Sequence, residues 1–261
     1  MRQYSNAYII GFATAICLVC SIVVSTSAVA LRDRQDRNKV LDRQTKVLVV
    51  AGVLEEGQAA SAEEIDKLFE TNIRTRVVDL ASGEYDDSVD PTTYDQRKAT
   101  KDPGLSSAAP KNSAGLTRVP EKALVYQRMD GEEVQSLILP IEGKGLWSTL
   151  YGFIALAPDT TTIEGITFYE HGETPGLGGE VDNPNWKALW VGRKAYDESW
   201  QPAIEVIKGA AGPPAEDPYQ VDGLSGSTLT SRGVTNLVQF WLGENGFDPY
   251  LQKLRSQGSS S

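Results

Sequence analysis

"DGLSGSTLTSRGVTNLVQFWLG", residues 222–243, changes character halfway along. In its second half Val234, Leu237, Val238, Trp241 and Leu242 recur at i, i+3, i+4, i+7 and i+8, the spacing of a helix with one face in a core. Gly243 or Gly246 can stop that helix. The first half is short and hydroxylated: Asp222, Ser225, Gly226, Ser227 and Thr228 lead into a helix start near Thr228. Unpaired backbone N–H groups and the helix dipole make such a start a ready site for a phosphate. Ser and Thr are also ordinary N-caps, and on residue chemistry alone both readings stay open.

Upstream, the chain reads as pairs of strands. "RTRVVDL" (74–80) and "KALVYQRMDGEEVQSLILPIEG" (122–143) alternate apolar and polar residues, with Asp130-Gly131 as a turn; "LYGFIALAPDTTTIEGITFYEHGE" (150–173) repeats the strand–turn–strand pattern. "SAEEIDKLFETNI" (61–73) predicts a surface helix with a Ser61/Glu64 capping box and an apolar face of Ile65, Leu68 and Phe69. "NPNWKALWVGRKAY" (183–196) predicts a helix carrying Trp186, Leu189 and Trp190. Residues 90–118, rich in Pro, Ser, Thr, Lys and Asp, read as a long exposed loop, and "SQGSSS" as a frayed tail. Strand pairs followed by a closing helix give the fold class α+β.

At the other end, Tyr8 to Leu31 runs without a charge for more than the roughly 20 residues that cross a bilayer as a helix. Ala28-Val29-Ala30 supplies a signal-cleavage pattern, but the apolar run is long for a signal peptide and a retained anchor is preferred. The expected organisation is a transmembrane anchor over 1–32, a helical stalk over 33–52, one domain over 53–256 and a disordered tail over 257–261. Arg2 precedes the span, whereas Arg32, Arg34, Arg37, Lys39, Arg43 and Lys46 follow it, a bias that by itself places the domain in the cytoplasm.

Composition removes several function classes. A net charge of −10 over 261 residues, with no Lys/Arg run on a predicted helix, lacks the footprint of a nucleic-acid binder. Cys17 and Cys20 lie in the apolar stretch and His171 is the single histidine, so the domain has no thiolate or multi-histidine metal site. "LWSTL" around Ser148 lacks the G-x-S-x-G elbow of a serine hydrolase. No G-x-G-x-x-G opens a helix after a strand, so no NADH site is expected. No catalytic residue is assigned.

Asp222-Gly-Leu-Ser225-Gly226-Ser227-Thr228 resembles the flavinylation motif, Asp-x-x-Ser/Thr-Gly-Ala-Thr, of the flavin-carrying subunits of Na+-translocating NADH:quinone reductases and their Rnf-type relatives. Ser227 stands where that motif has Ala. A second stretch, "HGETPGLGGE" (171–180), is a glycine-rich turn that by itself is a weak signal. Its Glu173-Thr174-Pro175-Gly176-Leu177-Gly178 is similar to the loop that lies against the isoalloxazine ring in that family. "GKGLWS" (143–148), with Trp147 and Ser148, resembles the C-subunit branch of the Na+ pump rather than the Rnf G branch, which is the alternative.

The resemblance implies FMN joined by a phosphoester bond to Thr228, delivered from FAD by a separate FMN transferase. Trp147 and Leu177 are the kind of groups that sandwich a flavin, His171 reads as structural or one step removed from the ring, and Lys208 reads either as a cation near the phosphate or as a solvated surface lysine. The resemblance further implies an electron relay with no substrate site of its own. Electrons from NADH reach this FMN through FAD and iron–sulfur centres on partner subunits and pass toward ubiquinone, coupled to Na+ export. The implied setting is a bacterial inner membrane with a single span and a periplasmic FMN domain, against the charge bias.

Overall fold

The structure, a computed structural model, describes residues 5–258; Arg2, counted in the charge bias, lies outside them. In chain order the elements are α1 (Asn6–Val50), α2 (Ala62–Asn72), β1 (Ile73–Asp79), α3 (Gln96–Lys101), β2 (Ser106–Ala108), β3 (Arg118–Pro120), β4 (Lys122–Asp130), β5 (Glu133–Lys144), β6 (Thr149–Leu156), β7 (Ile163–Glu170), a 3-10 turn (Gly178–Asp182), α4 (Pro184–Ala188), β8 (Glu205–Val206), β9 (Gln220–Val221), α5 (Thr228–Leu242) and α6 (Asp248–Gly258). The fold is α+β, and the chain divides into two compact units, Met1–Arg43 and Gln44–Ser261.

The first unit holds most of α1, whose most apolar window has a mean hydropathy of 2.5, long and apolar enough to cross a membrane. The expected stalk over 33–52 does not end outside the domain. Val47, Leu48, Val50 and Ala51 are buried, so the last turns of the helix belong to the second unit's core. An apolar run at the end of a polar helix segment has to find cover, and here it finds a sheet.

That sheet has five strands in the order β1-β4-β5-β6-β7, every neighbouring pair antiparallel. The β4–β5 hairpin turns at Gly131, whose φ of +58° suits glycine. Between β6 and β7 the Asp159 carboxylate accepts from the N–H groups of Thr161 and Thr162, both at 2.8 Å, closing the turn.

One face of the sheet carries Leu137, Leu139, Ile141, Leu150, Ile154, Ile166 and Phe168 into the main core, together with Val234, Leu237, Val238, Trp241 and Leu242 of α5. Those five are the helix face read from the spacing, and all are 0% exposed. Burying each is worth roughly 1.5–3 kcal/mol against leaving it in water. Trp241 Nε1 donates to the Glu142 carbonyl at 2.7 Å, fixing α5 across β5. The opposite face holds the cross-strand row Tyr126, Ile138, Ala155 and Gly165. Phe69 of α2 packs edge-on to Tyr126 at 6.1 Å, and Val50 lies over Gly165.

The Ser61/Glu64 capping box forms in both directions, at 2.8 and 3.3 Å. Three expectations need correction. The exposed loop over 90–118 contains α3, the β2 strand and the start of β3, with Ala99, Ser106 and Ala114 buried. Asp95 caps α3 by accepting from Lys98 N–H at 3.1 Å, and Arg118 bonds Ser106 at 2.7 Å across the small hairpin. The polar residues that read as loop signals are thus the ones that fold it. The helix over 183–196 shortens to the five residues of α4, with Trp186 on it and Trp190 just past it. The expected tail over 257–261 begins inside a helix: α6 buries Tyr250 and Leu251 and runs to Gly258, while residues 259–261 lie outside the described residues.

Because Leu48 is core, Leu48→Ala should cost about 2–5 kcal/mol. Urea unfolding of the full chain in detergent, followed by tryptophan fluorescence, checks this; unchanged stability would mean the helix end merely rests on the domain.

Candidate functional site

Three segments meet where α5 begins: the β5–β6 turn (145–148), the loop after β7 (171–178) and the approach to α5 (222–230). The Glu173 side chain joins them. Its Oε1 accepts from the N–H groups of Trp147 at 2.9 Å and Ser148 at 3.4 Å, and its Oε2 accepts from Thr230 Oγ1 at 2.5 Å. The residue is only 5% exposed. Burial, the largest single influence, pushes its carboxyl toward neutrality. Hydrogen bonds from Thr230 and from the N–H groups of Trp147, Ser148 and Leu146 outweigh it and hold the group below the ordinary 4.5.

Two glycines make room for this carboxylate. A Cβ on Gly145 would lie 2.6 Å from Oε1, and one on Gly178 would lie 2.6 Å from both Oε2 and Thr230 Oγ1. Around the hub, Gly172 N–H donates to Ser148 Oγ at 2.6 Å. His171 Nδ1 accepts from Glu173 N–H at 3.2 Å, leaving Nε2 to donate to Asp182 at 2.8 Å. His171 is thereby a loop brace. The Thr174 carbonyl accepts from Leu177 and Gly179, closing the turn at Gly176, whose φ is +76°.

On the α5 side, Ser227 occupies the N-cap position without a side-chain capping bond, and Thr228 is the first helical residue. Neither hydroxyl caps the helix. Ser227 is buried and donates to Thr230 Oγ1 at 2.9 Å; Ser231 Oγ is buried between Leu224 N–H and the Ser227 carbonyl. Thr228 and Ser225 are exposed. Among the described residues the Thr228 hydroxyl has no hydrogen-bond partner.

Thr228, Ser225 and Gly226 line a groove of about 680 Å³ shared with Lys208, Asp222 and Arg232. That size lies within the roughly 300–1,000 Å³ of small-molecule sites. Asp222 faces the groove, but its carboxylate accepts from Ala211 N–H at 2.9 Å, so its work is to hold the loop that carries Lys208. Trp186 Nε1 props the same segment through the Asp222 carbonyl at 2.8 Å. Among the described residues neither Lys208 nor Arg232 has an ion-pair partner. Arg232 was not singled out from the sequence, although it stands four residues after Thr228 and so on the same side of the helix.

Trp147 is 69% exposed and Leu177 44%, so Trp147 is no core tryptophan. Leu177 Cδ2 lies beside Gly226, 3.0 Å from where a Cβ would be, which brings the glycine-rich loop against the acceptor loop. A flat apolar ligand fits Trp147 and Leu177; a phosphate fits the start of α5 with Lys208 and Arg232. Among the described residues no group of His, Cys, Asp or Glu could hold a metal ion.

A free hydroxyl and two cations at the start of α5, with Trp147 and Leu177 exposed nearby, suit a ligand that carries both a phosphate and a flat apolar part. The FMN-binding domain family matches residues 145–243, the span that contains all three segments. The C subunit of the Na(+)-translocating NADH-quinone reductase of Pseudomonas aeruginosa is 49% identical over 97% of this chain and 98% of its own length. That of Vibrio anguillarum is 49% identical over 94% and 93%. The crystal structure of Shewanella oneidensis NqrC superposes with a TM-score of 0.77 at 33% identity, covering 85% of this chain and 99% of that one. The chain belongs to the NqrC family, the C subunits of the Na(+)-translocating NADH-quinone reductases, and is thus part of an oxidoreductase complex. The C branch, rather than the G branch, is the one these relatives represent.

Because Glu173 is ionised more readily in the folded chain, its contribution to stability is present above the unfolded carboxyl's pKa and fades as pH falls through the lowered folded value. Glu173→Gln should therefore cost about 1–3 kcal/mol at neutral pH by leaving buried donors mismatched. The gap to wild type should narrow below pH 4.5. Urea unfolding at neutral and acid pH checks this, and a gap that widens in acid would contradict it.

Proposed function

We propose that Thr228 carries FMN through a phosphoester bond and that the chain is the relay through which electrons from NADH pass toward ubiquinone, coupled to Na+ export. The observation that carries the reading is the contrast between hydroxyls. Ser227, Thr230 and Ser231 are buried and bonded, whereas Thr228 is exposed and unbonded at the start of α5. A transferase can reach it without dismantling the loop.

In the attachment step Thr228 Oγ displaces AMP from the flavin-bearing phosphate of FAD: an O–P bond forms, the pyrophosphate O–P bond breaks, and the hydroxyl proton leaves to a base on the transferase or to water. The resulting phosphodiester would keep one negative charge, which the N–H groups at the start of α5, Lys208 and Arg232 would offset. FMN, when bound, supplies the reversible electron acceptance that the chain's own side chains lack. Trp147 and Leu177 would hold the ring, and Glu173 fixes the turns that carry them. The covalent bond prevents loss of the cofactor at a membrane surface.

The single span and the long domain after it are compatible with a periplasmic flavin, because long domains translocate largely regardless of flanking charge. The other subunits of the pump are the partners, and an FMN transferase acts during maturation.

Co-expression with an FMN transferase should give an FMN adduct by intact mass in wild type and Thr228→Ser and none in Thr228→Ala. An adduct that persists in Thr228→Ala would move the tether elsewhere. A reporter fused after Arg255 should be active only when it is of a periplasmic type, and activity confined to a cytoplasmic reporter would reverse the topology.

A further inference from the structure

Ser227 is the chain's departure from the flavinylation motif, and its hydroxyl is not idle. It is 5% exposed, too buried to accept a flavin itself, and it donates to Thr230 Oγ1 at 2.9 Å. Thr230, 0% exposed, passes its own proton's hydrogen bond to Glu173 Oε2 at 2.5 Å. Glu173 Oε1 receives Trp147 N–H at 2.9 Å and Ser148 N–H at 3.4 Å. An unbroken line of hydrogen bonds therefore runs from the residue before Thr228, through the carboxylate, to the turn that presents Trp147. Such chains polarise one another, so the Ser227 donor strengthens the Thr230–Glu173 bond beyond its own contact. An alanine would take that donor away from Thr230 Oγ1.

We propose that Ser227 is a positioning residue that couples the tether end of the flavin site to its ring face through Thr230 and Glu173. The proposal rests on Thr228 as the tether. Its consequence is mechanical: the phosphate end and the Trp147 turn belong to different elements, α5 and the β5–β6 turn, and this line is the polar tie between them, added to the apolar packing of α5 on β5. The backbone of Ser227 is anchored separately, by its N–H to the Leu224 carbonyl and by its carbonyl to Ser231 N–H and Oγ. Removing the hydroxyl therefore weakens the line at its α5 end, with the Thr230–Glu173 contact still able to form, and does not release the loop.

The test uses the full chain in detergent, matured by co-expressed FMN transferase, as wild type, Ser227→Ala, Ser227→Thr, Thr230→Val and the double variant Ser227→Ala/Thr230→Val. Amide hydrogen exchange of Trp147 and Ser148 is read by mass spectrometry, and the visible circular dichroism of the flavin is read per mole of attached FMN. Loss of one net hydrogen bond should speed exchange at Trp147 and Ser148 about fivefold in Ser227→Ala. The flavin dichroism should change with it, Ser227→Thr should restore both, and the double variant should go no further than Thr230→Val alone, the sign of a shared path. Faster exchange confined to residues 225–231, with Trp147, Ser148 and the flavin dichroism unmoved, overturns the coupling. Wild type that carries no adduct is a failure of the tether reading instead, and the intact mass taken beforehand separates the two.

Discussion

The site depends on one buried carboxylate. Glu173 is acceptor to two backbone N–H groups from one turn and to a hydroxyl from the first turn of α5. A buried charge is tolerable only when its lone pairs are filled, so the three segments cannot drift apart without losing the donors that hold the carboxylate. Gly145 and Gly178 are the steric counterpart of that bond network, since any side chain at either would occupy the carboxylate's space. A polar interaction thus fixes the geometry of a site whose ligand-facing groups are largely exposed loops.

The sheet and α5 supply the platform. α5 is held by its apolar face and by Trp241 Nε1 on the Glu142 carbonyl, so its first turn points to a fixed place at the end of β5. There the free N–H groups, Lys208 and Arg232 gather positive potential in a protein of net charge −10. Asp222 does its part indirectly, by tying down the Lys208 loop through Ala211. A residue of the motif thus lines the groove and braces its wall at once.

Much of the fold was legible because periodicity reports burial: the α5 face and the strand pairs of β4–β5 and β6–β7 follow from spacing alone. The 90–118 segment was misread because Asp95 and Arg118 act as cap and cross-link, and composition does not distinguish such residues from solvated ones. α6 carries no separate expectation although Phe247, Tyr250, Leu251 and Leu254 keep helical spacing, because only three turns of helix follow Gly243 and Gly246 and a pattern that short is weak. At the site, the two motifs marked Thr228 and Glu173, and helical spacing could have added Arg232. Nothing in the sequence says that Glu173 reaches Thr230 or that Ser227 joins the same line, since the contact to Glu173 spans more than fifty positions and forms only through tertiary folding.

On the proposed function, a covalent bond to Thr228, and not the groove alone, retains the flavin. The most direct measurement is tandem mass spectrometry of a proteolytic peptide spanning residues 222–232 from protein matured with its transferase and then fully denatured. FMN should still be attached, with fragment ions placing it on Thr228. Flavin released on denaturation, or fragment ions that place it on Ser225, would contradict it.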